Sequence, residues 1–166
     1  MKKIHLILVF IVCCSCMRNK TVHIESLASF NVDAVTNTGL NSTIGVNTLN
    51  DFSGKVKIVD AEVTVYSTGS TSPLITITPT QEIIIPKGSS TVSIPLEVEV
   101  KGGLLGSIMV INLLKNKREN LTISVNVHAK KGIVSANLSL ENMTFEQFYK
   151  KFNVDNSLID GLLNKI

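Results

Sequence analysis

The sequence predicts an all-β domain, an antiparallel β-sandwich of about seven or eight strands, with one short helix between strands and a helical C-terminus. Three observations predict it. Apolar and polar residues alternate in runs of strand length, most cleanly Leu121, Ile123, Val125 and Val127 against Thr122, Ser124, Asn126 and His128. Clusters of Asn, Ser, Gly and Pro punctuate those runs at Asn37-Thr38-Gly39, Asn50 to Gly54, Ser67 to Pro73 and Pro86 to Ser89. Two stretches, Leu104 to Leu114 and Phe145 to Phe152, break the alternation with apolar residues at helical spacing.

In chain order, the first sixteen residues read as a leader. Lys2-Lys3 precede the run Ile4 to Val12, apolar except for His5. That run is far shorter than the roughly 20 residues a helix needs to cross a bilayer, so it fits a signal peptide, not a permanent anchor. Cys13-Cys14-Ser15-Cys16 follow. Residues 17–26, with Arg18-Asn19-Lys20, are polar and suit a tether between leader and domain.

The β domain is expected over 27–140. Phe30, Val32 and Ala34 share one parity, and Ile44, Val46 and Thr48 continue on the next strand. Val56 and Ile58 set a parity that Ala61, Val63 and Val65 reverse. A bulge near Val59-Asp60 reconciles the two halves, because a one-residue slip turns every side chain to the opposite face. Leu74, Ile75 and Ile77 form a short strand. Glu82 to Ile85 and Thr91 to Val100 read as a hairpin closed by Pro86 to Ser89. Pro95 lacks an N–H, so it should stand at an edge or beside a bulge. Gly102-Gly103 open a helix whose packed face is expected at Leu104, Ile108 and Ile111. Val134, Ala136, Leu138 and Leu140 make the last strand.

Residues 141–166 are expected to be helical. Thr144 and Gln147 have the spacing of a capping box, Phe145, Phe148 and Phe152 fall at i, i+3 and i+7, and Ser157 to Ile166 reads as a second helical segment.

Composition excludes several functions. The formal charge is +3, of which Lys2 and Lys3 supply two, leaving the remainder nearly neutral. Lys115, Lys117 and Arg118 are its one dense basic group, and Glu119 beside them suits a solvated helix end, so no nucleic-acid partner is expected. With Cys16 acylated and the leader removed, no thiol is left for a disulfide, a nucleophile or a metal. No metal site, cofactor or catalytic residue is expected. His23 and His128 are isolated in sequence, Glu97 and Glu99 read as a solvated pair guarding a strand edge, and an enzyme would have to gather such groups as Asp33, Asp60, Glu62 and His128. Phe145, Phe148, Tyr149 and Phe152 form the one group with the chemistry for a partner or membrane contact, against the alternative that they cap the end of the sandwich.

Two resemblances add to this reading. Ser15-Cys16 resembles the lipobox of bacterial lipoproteins, which implies lipidation at Cys16 and a bacterial membrane anchor. The third residue before the cysteine, usually Leu, Val or Ile, is here Cys13; Cys14 as acceptor would restore Ile11 there but put Cys13 where a small residue is usual. No acidic residue occurs between Cys16 and Glu25, which points to the periplasmic side of an outer membrane. Separately, Val46-Asn47-Thr48-Leu49-Asn50-Asp51-Phe52 followed by Lys55 to Tyr66, with the later order of strands and short helix, resembles the late-embryogenesis-abundant type 2, or water-stress and hypersensitive-response, domain. That resemblance implies a fibronectin- or immunoglobulin-like sandwich acting without catalysis in binding, structural or stress-protection roles, with an envelope protein or lipid as partner. The alternative is a sandwich carrying a lipid or small hydrophobic ligand between its sheets.

Overall fold

The computed structural model describes residues 6–8 and 21–152. Their strands are β1 (Leu6–Leu8), β2 (Val22–Val35), β3 (Gly39–Asn50), β4 (Val56–Ser67), β5 (Pro73–Pro79), β6 (Ile83–Ile85), β7 (Gly88–Val100), β8 (Leu121–Lys131) and β9 (Val134–Thr144). Helix α1 (Gly103–Asn116) lies between β7 and β8, and α2 (Phe145–Phe152) follows β9. All pairings are antiparallel, in the order β1-β2-β3-β7-β5-β4-β8-β9, with β6 set apart on β4.

The predicted antiparallel β architecture is therefore present, as one continuous curled sheet. Strand β5 is the physical link. It pairs with β4 through Ile75, Thr76 and Ile77 and with β7 from Ile75 to Pro79, joining the two halves edge to edge. The curl lets their inner faces pack together. Val22 and Val92 from one half meet Val56, Ile58 and Ala129 from the other, with Phe52, Ile83 and Ile85 between them. A second cluster gathers Val65, Ile75, Leu121, Ile123, Val125 and Met143 under α1 and α2. Apolar burial of this kind is worth about 25 cal/mol per Å², and these clusters are the main source of stability in a fold with no disulfide among the described residues.

Asn50 connects the parts. Its backbone lies opposite Val22 on one side and Gly88 on the other. Its side chain is buried, and Nδ2 donates within 3.0–3.2 Å of the carbonyls of Gly54, Ile85 and Pro86, while Oδ1 accepts from the Phe52 N–H at 2.9 Å. One carboxamide thus closes the 50–54 turn and holds the chain where it leaves β6. Lys131 completes this end, with Nζ 4.8 Å from the Phe52 ring centroid and 3.3 Å from Ser53 Oγ.

Several expectations are refined. The bulge near Val59 is present, as a register shift between Ile58 and Asp60. Pro95 behaves as its missing N–H requires. Its carbonyl accepts from Thr80 N, just past the last β5 pairing at Pro79 and Leu96, so its nitrogen faces the side where the neighbouring strand has ended. The expected hairpin between Glu82 to Ile85 and Thr91 to Val100 is not formed: β6 pairs with Val56–Ile58, because Asn50 draws the Ile85 and Pro86 carbonyls toward the 50–54 turn. Strand β2 opens at Val22, within the expected tether, since Val22 is fully buried. Three register shifts interrupt its pairing with β3, and Val32 and Ala34 of the Phe30, Val32, Ala34 series are exposed.

Helix α1 forms where expected but is turned. Val110 is buried and Leu113 and Leu114 pack on the second cluster, whereas Ile108 faces outward. Gly106 permits this phase, because a Cβ there would stand 1.8 Å from the Lys101 carbonyl oxygen, and glycine alone lets the helix seat so closely. The second helical segment expected over Ser157 to Ile166 lies outside the described residues.

Replacing Asn50 with Ala should lower unfolding free energy by about 2–4 kcal/mol, because buried carbonyls and the Phe52 N–H lose their partner. Asn50→Asp should cost at least as much, since it sets an acceptor oxygen against those carbonyls. Urea midpoints of the two variants against the parent chain measure both effects; an unchanged midpoint would remove Asn50 from its central place.

Candidate functional site

The outward face of β4, β8 and β9 is polar in every row of its ladder. Across β4 and β8, Asp60 stands opposite His128, Glu62 opposite Asn126, Thr64 opposite Ser124 and Tyr66 opposite Thr122. Strand β9 continues the rows with Asn137 beside His128, Ser139 beside Asn126 and Thr144 beside Thr122. The parity that sends Leu121, Ile123 and Val125 into the core sends this set outward. Side chains cross-link along the rows: His128 Nδ1 hydrogen-bonds Asn137 Oδ1, and Ser139 Oγ donates to Asn126 Oδ1 at 2.6 Å.

At the far end the face becomes concave. Residues 67–71 arch over it from one side, and a bulge at Glu141-Asn142 rises from the other, producing a groove of about 600 Å³. Thr64 and Ser124 are buried at its floor, and Tyr66, Ser70, Thr122 and Asn142 are among its walls. The bulge has a clear cause. Two β9 residues oppose Ser124, whose Oγ accepts from the Asn142 N–H at 3.1 Å, and Asn142 takes φ 54°, a left-handed conformation that asparagine tolerates better than most residues. It also shifts the parity of β9, so that Met143 and then Phe145 turn into the core.

The groove offers neutral hydroxyls and amides, one aromatic side chain and the carboxylate of Glu141. Such a set can donate to and accept from a polar ligand, but it supplies no nucleophile activated by a base. Asp60, Glu62 and His128 do share the outer face, brought together by the β4–β8 register, which sequence spacing does not reveal. Asp33 is elsewhere, on β2, accepting from Thr43 Oγ1 at 2.6 Å. Among the described residues, no three His, Cys, Asp or Glu side chains are grouped to hold a metal ion. His23 lies at the start of β2, beside Thr21 and 3.6 Å from Asp51. Glu97 and Glu99 are exposed, but β7 runs between β3 and β5, so they do not guard a sheet edge.

The aromatic group at the C-terminus is on α2. The capping box is reciprocal: Thr144 N donates to Gln147 Oε1 at 2.9 Å and Gln147 N to Thr144 Oγ1 at 3.2 Å. Phe145 is buried, and Phe148 and Tyr149 are half-buried against the second cluster. Tyr149 meets Phe145 and Phe148 edge-on, at centroid distances of 5.8 and 6.2 Å. Phe152 is the last residue of α2. Cys16 lies outside the described residues.

No family model matches the chain, and no curated protein matches it. Among solved structures it is similar to the crystal structure of a protein from Archaeoglobus fulgidus, at 12% identity and a TM-score of 0.44, covering 69% of this chain and 91% of that one. It is also similar to the solution structure of a protein assigned as late embryogenesis abundant (LEA), at 13% identity and a TM-score of 0.33, covering 80% and 76%.

Two outcomes follow from the geometry. Ser124→Ala should cost about 1–2 kcal/mol in urea unfolding by stranding the Asn142 N–H, whereas Ser139→Ala, at an exposed position, should cost less than about 0.5 kcal/mol. On α2, Glu146 and Lys150 pair at 2.8 Å in full solvent. The hydrogen bond from Lys150, then its charge, holds the Glu146 carboxyl below the usual glutamate range. The pair's small contribution is therefore present above the unfolded glutamate pKa and fades as pH falls through the lower folded value. In Lys150→Ala, the Glu146 carboxyl titration followed by NMR should move up to the ordinary glutamate range.

Proposed function

We propose that this chain is a bacterial envelope lipoprotein, acylated at Cys16, whose β domain is a non-enzymatic binding or structural module with a late-embryogenesis-abundant-like role in stress protection. The observation that carries the binding reading is the groove over Thr64 and Ser124. Its hydroxyls and amides stand on hydrogen-bonded strands and suit recognition by polar contact, without the convergent acid, base and nucleophile that turnover needs. The packing of the two halves of the sheet across one core supports the sandwich-type layering of that domain family. Attachment rests on the leader, where Cys16 follows Lys2-Lys3 and the short apolar run.

The groove and Val22, where β2 begins, stand at opposite ends of the strands. Strand β4 leaves the Asn50 end at Val56 and reaches the groove at Tyr66, a separation of roughly 33 Å at about 3.3 Å per residue. An acyl anchor ahead of Val22 would thus hold the domain by one end and leave the groove at the other free for its partner.

Cys16→Ala expressed in a bacterial host with labelled fatty acid should lose the label and leave the membrane fraction. Retention of label would move the acceptor to another residue, and Cys14→Ala would then identify it.

A further inference from the structure

We propose that the outer face of α1 is a docking surface for an anionic lipid bilayer. Helix α1 is apolar nearly all round, yet only one side of it is covered. Val110 is buried and Leu113 and Leu114 pack inward, while Leu105, Ile108 and Met109 are 80%, 63% and 51% exposed. These three fall at i, i+3 and i+4, so they form one ridge on the solvent side. Exposed apolar residues that stand together mark contact sites, whereas scattered ones need no explanation.

Charge selects the occupant. From Lys101 to Asn120 the chain carries four cations, Lys101, Lys115, Lys117 and Arg118, and one carboxylate, Glu119. The cations bracket the ridge: Lys101, held to Ser72 Oγ at 2.8 Å, precedes the helix, and Lys115, Lys117 and Arg118 mark its far end, where Arg118 Nε donates to the Leu114 carbonyl. Glu99 lies on β7, ahead of Lys101. An apolar ridge with cations at both ends matches the interface of an anionic membrane, with side chains entering the acyl boundary and ammonium groups among the phosphates. A second copy of this chain fits worse, because an isologous pairing of α1 on α1 sets these cations against each other. The helix has 14 residues, so it can lie in the interface but not cross the bilayer.

Docking through α1 does not depend on Cys16. Helix α1 sits at the end of β3 marked by Gly39, where a Cβ on Gly103 would meet the Asn37 carbonyl, whereas β2 begins at the opposite end, with Val22 beside Asn50. It can therefore be tested without acylation. The full chain with Cys13, Cys14 and Cys16 replaced by Ser receives one cysteine, Met109→Cys, labelled with a solvent-sensitive fluorophore. Ile133→Cys, at the exposed β8–β9 turn, is the matched control and reports membrane capture by the apolar leader alone. On vesicles of phosphatidylcholine with phosphatidylglycerol, emission at position 109 should shift to the blue and rise about twofold or more, with no change at 133. Pure phosphatidylcholine, high salt, or Lys115→Glu with Lys117→Glu should each suppress the change.

Leu105→Cys repeats the measurement should the first label disturb folding. No response at 105 and 109, or an equal response at 133, overturns the proposal. A concentration-dependent blue shift without vesicles makes the face a self-association surface and overturns it too. A probe already shielded at every concentration in buffer shows the face covered by the chain itself, which equally overturns bilayer docking.

Discussion

A single buried carboxamide holds the closed end of this fold together. Asn50 lies at the meeting point of β2, β3 and β7, and its side chain reaches the turn into β4 and the exit from β6. Without it, the buried Ile85 carbonyl and the neighbouring Pro86 carbonyl would need other partners, and the cheapest alternative is the local hairpin that the sequence itself suggests. Pairing β6 with β4 instead places Ile83 and Ile85 between the halves of the sheet, where they complete the cluster around Val22, Phe52 and Val92. A hydrogen bond of modest net worth thus directs a much larger amount of apolar burial.

Much of this is legible in the residues, and the failures share a cause. The alternation of Leu121 to His128 correctly divides β8 into a core side and a polar side, and the parity change at Val59 correctly locates a bulge. Local signals are reliable here: the Thr144–Gln147 box and the 37–39 turn are as their chemistry requires, and Pro95 sits where the β5 pairing has just ended. What fails is non-local. Pro86 to Ser89 has the composition of a hairpin turn, but the competing contact comes from Asn50, distant in sequence. The phase of α1 follows from the packing of Val110, Leu113 and Leu114 on strands distant in sequence, and helical periodicity in a mostly apolar stretch cannot identify it. The polar face is hidden for the same reason, because its halves come from β4 and β8 and only the register unites them.

The two ends of the strands differ in character. The Asn50 end, where β2 begins at Val22, is tightly closed. The opposite end carries the groove over Thr64 and Ser124, the 67–73 loop and α1, which Lys101 links through its hydrogen bonds to Leu74 and Ser72. A polar groove and an exposed apolar ridge thus stand at the same end, on strands and a helix whose inner sides are packed. The aromatic residues Phe145, Phe148 and Tyr149 turn their rings toward the second cluster, which closes that core beneath α2.

Cross-strand NOEs from Ile84 test the central claim most directly, since they show which strand β6 chooses. Contacts between Ile84 and Lys57 are expected, with Ile83 and Ile85 close to Ile58 and Val56. Contacts between Ile84 and Thr91 in their place would make residues 82–100 a simple hairpin and contradict the closure centred on Asn50.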